Sequence, residues 1–245
     1  MAILGVDIGG SGIKGAPVDL DAGVFAGDRQ RVVTPQPAEV KQVVKAAGGV
    51  VRQFPPADRI GVTFPGVVVG GVVKTAANMH ESWIDAPAAE LFAEEFGRPV
   101  TVLNDADAAG IAEVRYGAGR GHSGVVLMLT LGTGIGSALF LDGRLVPNTE
   151  LGHLELHGKD AEERASDRAR QDEDLGWHAW AKRLQDYLRH VEMLLHPDLI
   201  ILGGGVSKKA EHYLPHVHLS TPVVPATLQN TAGIVGAALA AEAAS

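Results

Sequence analysis

Asp105 follows Asn104 at the end of an apolar run, residues 100–103, and stands before a stretch of helical character from Ala106 to about Tyr116. A carboxylate where a strand gives way to a helix can point into a binding crevice and take a proton from a substrate hydroxyl. It can equally cap the helix. A second set of reactive side chains lies in NTELGHLELHGKDAEERAS, which supplies Glu150, His153, Glu155, His157 and Glu162. Carboxylates and imidazoles at that density could bind a metal, hold the hydroxyls of a polyol, or form a solvated face. With no cysteine in the chain, a zinc site would need His and carboxylate ligands alone.

Three glycine-rich stretches bracket these residues. The first, LGVDIGGSGIKG, contains a literal G-x-G-x-x-G in Gly10, Gly12 and Gly15. A dinucleotide site would need a helix next. The chain continues instead with APVDLDAG, in which Val18 and Leu20 alternate with Asp19 and Asp21, so the segment is a second strand and the dinucleotide reading fails. The hairpin places Asp7 and Lys14 at its glycine end. Its amides could cradle a phosphate, and a plain structural hairpin fits equally well. The second stretch, LMLTLGTGIGSALFLDGRL, repeats the pattern: Thr130, Gly132, Thr133 and Gly134 stand in the places of Asp7, Gly9, Gly10 and Ser11. Two such hairpins suggest a duplicated architecture. The third, LIILGGGVSKK, comes after a pure apolar run at 199–202.

Paired phosphate hairpins facing across a cleft are the arrangement of actin-like sugar kinases, in which the third cluster sits at the nucleotide base. In that setting Asp105 is favoured as the base for a sugar hydroxyl and Asn104 as a sugar ligand. Phosphate charge would be held by amides and Mg²⁺.

The elements that must carry these groups are legible from pattern. A helix is predicted over 38–54, a strand in RIGVTFPG, two strands around Gly70-Gly71, and a helix over 86–96 stopped by Gly97. A long helix over 175–195 lines up Leu175, Trp180, Leu184, Tyr187, Leu188, Val191 and Leu195, a core or subunit-interface stripe. The expected fold is α/β, a two-lobed actin-like ATPase (ribonuclease H-like) architecture. The first lobe would be 1–104 completed by a C-terminal helix, 232–245, and the second 105–231. The 245 residues suffice for two such lobes, and a net charge of −8 argues against broad nucleic-acid binding. No signal peptide or membrane span is apparent, so a cytoplasmic location is expected.

Over essentially its whole length the chain resembles the bacterial repressor, open reading frame and kinase (ROK) family of sugar kinases. DIGGSGIKG, TFPGVV, NDADAA, LTLGTGIGSALFLDG, ELGH and ILGGGVSK carry the likeness. KTAANMHESW, ELGHLELHGKDAEERAS and STPVVPATLQNTAGIVGAA make it closest to the actinobacterial branch that phosphorylates glucose from inorganic polyphosphate. The resemblance implies Asp105 as catalytic base, and Gly66, Asn104, Glu150, His153 and Glu162 around the sugar. It implies Gly9, Gly10, Ser11, Gly12 and Lys14, with Thr130, Gly132, Thr133 and Gly134, at the phosphates. Asp7 would stand near Mg²⁺ through water, and Gly203, Gly204 and Gly205 match the adenosine segment of ATP-using relatives. A homodimer is also implied.

Most of the family holds zinc with the ELGH histidine and three cysteines shortly after it; LELHGKDAEERAS has none, so no zinc is expected. Nor does the chain show the helix-turn-helix opening of the repressor branch. A polyanionic donor would need a local basic track. Lys14, Arg98, Arg115, Arg120, Arg144, Lys182, Arg183, Lys208 and Lys209 are the candidate cations, with no grouping readable from sequence. An ATP-dependent glucokinase or mannokinase of the same fold, and a non-catalytic sugar sensor, are the rival readings. The intact Asp105 and hairpins argue against the sensor.

Overall fold

The computed structural model describes residues 3–76 and 79–244. Met1 and Ala2, the Ala77-Asn78 pair of KTAANMHESW, and the expected helix end at Ser245 lie outside the described residues. The chain forms two compact units, Met1–Ala112 with Thr231–Ser245, and Glu113–Asn230.

In the first unit, β1 (Ile3–Gly9) and β2 (Gly12–Asp19) make the antiparallel hairpin that the alternation predicts, closing at the Gly9–Gly12 pair. β3 (Val24–Phe25) and β4 (Gln30–Val32) both pair with β2. After α1 (Val40–Val51), β5 (Arg59–Phe64) lies parallel to β1. β6 (Val68–Val69) and β7 (Val72–Val73) form a ribbon whose turn, Gly70 and Gly71, has φ of 58° and 80°, a conformation glycine adopts at little steric cost. α2 (Ala88–Phe96) leads to β8 (Val100–Asn104), parallel to β5, which passes directly into α3 (Asp105–Tyr116). The sheet order is β3-β2-β1-β5-β8. The division between the units falls inside α3, after Ala112.

The second unit repeats the scheme. β9 (Val125–Leu131) and β10 (Ile135–Leu141) form an antiparallel hairpin, extended by β11 (Arg144–Val146). A small ribbon of β12 (Glu155–Leu156) and β13 (Lys159–Asp160) precedes α4 (Glu162–Ala165), α5 (Asp167–Asp172) and α6 (Trp177–Leu195). β14 (Leu199–Gly203) then lies parallel to β9; α7 (Ala210–Tyr213) comes next, and β15 (Val223–Pro225) completes the order β11-β10-β9-β14-β15. Each sheet is thus a hairpin whose first strand also takes a parallel neighbour, the repetition expected from the two glycine stretches.

The last helix, α8 (Ala232–Ala243), belongs to the first unit. It is apolar nearly all round, as a buried helix is. It runs so close to β1 and β5 that a β-carbon on Gly5 would collide with the carbonyl of Ile234, and one on Gly61 with that of Ala237. The stripe on α6 is core: Trp180, Leu184, Tyr187, Leu188 and Val191 are buried in the second unit, with Leu175 and Leu195 at the margin. Among the described residues no helix is long and apolar enough to cross a membrane.

Candidate active site

On the first unit the β1–β2 turn is tied by side chains from β4 and the segment after it. Thr34 Oγ1 donates to the Gly9 carbonyl at 2.5 Å, and Gln36 Nε2 to that of Gly10 at 3.2 Å. Arg31 Nη2 approaches the Ser11 carbonyl at 3.4 Å, with its guanidinium beside Gly12. With these carbonyls engaged, the exposed turn at Gly10 and Ser11 offers its amides and a neighbouring cation, a polarity suited to an anion. Arg31, Thr34 and Gln36 were not singled out from sequence. Only the pairing of β4 with β2, which puts Arg31 opposite Lys14, reveals them.

Asp7 sits at the end of the same hairpin. Its Oδ2 lies 3.0 Å from Lys14 Nζ and its Oδ1 accepts from Thr63 Oγ1 at 2.9 Å. The first turn of α8 lies against this carboxylate at Gly233, where the helix N-terminus favours negative charge. One hard carboxylate with a hydroxyl beside it fits a magnesium ion that arrives on substrate phosphates, since Mg²⁺ keeps waters and asks few protein ligands.

Asn104 and Asp105 end β8 and open α3. Asn104 is buried; its Oδ1 accepts from the Ala106 and Asp107 amides at 2.8 and 3.0 Å, which is helix capping, and its Nδ2 donates to the Gly66 carbonyl at 3.1 Å. Gly66 has no room for a side chain, because a β-carbon there would meet the Thr75 carbonyl. The capping residue is therefore Asn104. Asp105 is exposed, and its Oδ1 also accepts from the Ala106 amide at 2.8 Å.

The second unit assembles the other group. The β9–β10 turn holds Thr130, Gly132, Thr133 and Gly134; Gly132 donates to the Gly134 carbonyl at 3.0 Å, and the Arg168 amide to the Gly132 carbonyl at 3.0 Å. Glu162, at the start of α4, accepts the Ile135 amide at 2.9 Å, so its carboxylate rests against Gly134. Glu150 precedes and His153 ends a single tight helical turn, Leu151–His153, anchored by Ser137 Oγ at 3.0 Å from the Leu151 amide and by Tyr187 Oη at 3.2 Å from the Leu151 carbonyl. Burial pushes the Glu150 carboxyl above its ordinary range; His153 opposes this and Glu162 adds to it. The Gly203–Thr130 ladder pair brings the third glycine stretch beside the β9–β10 turn, and Gly204, at φ 80°, bends the chain away.

His153 has a partner that no spacing rule points to. Its Nδ1 lies 2.8 Å from Asp160 Oδ2, and its Nε2 lies 3.7 Å from Glu150 Oε2. The Asp160 hydrogen bond raises the imidazole above its usual range against the opposing effect of burial. An imidazole held by Nδ1 presents Nε2 in a fixed direction. Among the described residues no three His, Asp or Glu side chains are grouped to hold a metal.

Residues 3–168 match the ROK family. The chain is 53% identical over 240 residues to the polyphosphate glucokinase of Mycobacterium tuberculosis (strain ATCC 25618 / H37Rv), covering 98% of this chain and 91% of that protein. It belongs to the ROK family. Among solved structures, this ROK protein superposes on the inorganic polyphosphate/ATP-glucomannokinase of Arthrobacter sp. strain KM with a TM-score of 0.96 and 52% identity, covering 100% of this chain and 99% of that one. A ROK family glucokinase from Streptomyces griseus, in complex with glucose and AMPPNP, matches with a TM-score of 0.86 and 25% identity over 99% of this chain and 100% of that one. The fold is that of ROK sugar kinases.

Proposed function

We propose that this ROK protein is a polyphosphate glucokinase: it transfers the terminal phosphoryl group of inorganic polyphosphate to the 6-hydroxyl of glucose. Asp105 accepts the hydroxyl proton as the oxygen bonds to phosphorus, and the phosphoanhydride bond breaks to leave a chain one phosphate shorter. The outward amides of the two glycine turns, with Lys14, hold the donor's oxygens. Glu150, His153 and Glu162 hold the sugar's hydroxyls, and Asn104 positions Asp105 by fixing the start of α3. Magnesium, when bound with the donor, neutralises charge on the transferring phosphate, and Asp7 is the residue that would hold it. The observation that supports the reading most is the 53% identity, over 98% of the chain, to a protein named for this activity.

The solved relative whose name gives both donors favours a second one: ATP, with Gly203, Gly204 and Gly205 beneath its adenosine. A magnesium-dependent, cytoplasmic homodimer goes with this proposal. The test is glucose 6-phosphate formation with Mg²⁺ and either long-chain polyphosphate or ATP, in the native chain and in Asp105→Asn. Loss of the base lowers kcat by about 10²–10⁴ while glucose binding, read by calorimetry, persists. Near-native turnover by Asp105→Asn would remove Asp105 from this role.

A further inference from the structure

α6 has a second face. Opposite its core stripe, Lys182, Gln185, Asp186 and Arg189 recur at three- and four-residue intervals, and with Arg164 of α4 and His216 they line a hollow of about 390 Å³ that Arg183 also borders. The acid in its lining and the one beside it are already engaged: Asp186 Oδ2 is 2.6 Å from His157 Nε2, and Glu173, outside the hollow, takes Arg183 through contacts of 2.8 and 2.6 Å. Among the described residues Arg164, Lys182 and Arg189 make no ion pair or side-chain hydrogen bond; Glu173 acts on Arg164 only at longer range, so the hollow keeps a net positive charge on a chain of net charge −8. Lys182 and Arg189 lie seven positions apart, about 10 Å along the helix axis at 1.5 Å per residue. That span suits several successive charges of a linear polyanion and exceeds what one phosphate needs. Arg164 lies on the same short helix as Glu162, two residues on.

We infer that this hollow binds the body of an inorganic polyphosphate chain, at a distance from the phosphate being transferred. The inference rests on the donor proposed above. Of the nine cations singled out from sequence, only Lys182 and Arg183 fall here, and Arg183 is spoken for. A neutral stripe would hold an incoming chain only at its reacting end. A basic one adds contacts that scale with chain length and are screened by salt.

The test is the variant Arg164→Gln/Lys182→Gln/Arg189→Gln, with its fold checked by circular dichroism. With glucose in excess, KM for long-chain polyphosphate rises about tenfold, from three solvent-accessible contacts each of modest strength, and becomes less dependent on KCl concentration. KM for ATP and for tripolyphosphate stays within about twofold. Binding of end-labelled long-chain polyphosphate, followed by anisotropy without glucose, weakens in parallel. An unchanged KM and affinity for the long chain would overturn the inference, as would an equal loss for ATP. Equally tight binding of a single-stranded DNA of similar charge, lost in the same variant, would also overturn it by making the hollow a general polyanion surface. A native protein that phosphorylates no glucose from polyphosphate would sink the proposed function, and the anisotropy arm would still decide whether the hollow binds the chain.

Discussion

Gly134→Ala and Gly132→Ala separate two tasks of one turn. At Gly134 a β-carbon would be driven into the Glu162 carboxylate, with Cδ only 3.1 Å away. The carboxylate would have to leave the Ile135 amide, which it now holds at 2.9 Å. Hydrogen bonds to a charged acceptor contribute ~1.5–3 kcal/mol; this one is partly buried, so the low end applies. For a chain of this size about 1.5 kcal/mol lowers Tm by about 3–6 °C. If Glu162 also holds a sugar hydroxyl, the same displacement removes an interaction of similar size there, and kcat/KM for glucose falls about tenfold or more. At Gly132 a β-carbon meets nothing within 4 Å and the backbone lies outside the left-handed region. Its stability therefore stays within about 0.5 kcal/mol of native, while KM for the donor rises because the open space is where phosphate is proposed to lie. Thermal scanning and steady-state kinetics with each substrate varied read all four quantities. A Gly134→Ala protein with native Tm and native glucose kinetics, or equal destabilisation by both substitutions, would refute the reasoning.

Asp160→Asn tests the His153 arrangement. The folded His153 titrates above its ordinary value of 6.5, chiefly because Asp160 accepts from it, so the pair stabilises the fold fully below that value and the contribution fades as pH rises through the folded one. In the variant the imidazole titration seen by NMR moves down, and its stability deficit is greatest below pH 6.5 and vanishes in alkali; an unmoved titration would break the assignment. Glu113→Ala tests the tie at the end of α3. Glu113 is fully buried and accepts from the Ala118 amide at 2.8 Å, Thr227 Oγ1 at 3.0 Å and the Leu228 amide at 2.6 Å. Orphaning these donors costs about 3 kcal/mol or more in urea denaturation, and a loss below about 1 kcal/mol would show the donors find other partners.

How much could be read from the sequence tracks how local the cause is. The two hairpins were legible because alternation and glycine turns act over a few residues: β9 (Val125–Leu131) and β10 (Ile135–Leu141) meet at the second glycine stretch. Helix ends shifted by up to three residues, as with α1, which ends at Val51 rather than 54, and α6, which begins at Trp177 rather than 175 because Gly176 caps it. The fit of α8 against Gly5 and Gly61 was beyond reach, since no spacing rule links residues so far apart in the chain. The same holds for the site. Asp7 and Lys14 lie at a turn visible in the sequence, whereas Glu162, which opens α4, is legible only from the density of acids around it and from the family resemblance. Arg31 reaches the first turn only because β4 pairs with β2, and Asp160 reaches His153 only because β12 and β13 fold back on one another. Asn104 shows that a capping and a functional reading can concern one side chain: its cap fixes the helix start that carries Asp105.

The β12–β13 ribbon also changes what the ELGH histidine depends on. Where a zinc ion holds such a ring, its orientation is lost with the metal. Here Asp160 occupies the Nδ1 side at 2.8 Å, and the ribbon pairs Asp160 with Glu155 through backbone register, so the imidazole is oriented by a carboxylate on a covalently continuous strand. Two consequences are opposite in sign to those of a metal site. A zinc chelator, with Mg²⁺ in excess, is expected to leave Tm and glucose turnover as they were where Asp160 alone orients the ring. Asp160→Asn in turn raises KM for glucose more than it lowers kcat, since the ring stays in place but loses its fixed direction. A chelator-induced fall in Tm of several degrees, reversed by added zinc, would mean that a metal and not Asp160 orients His153.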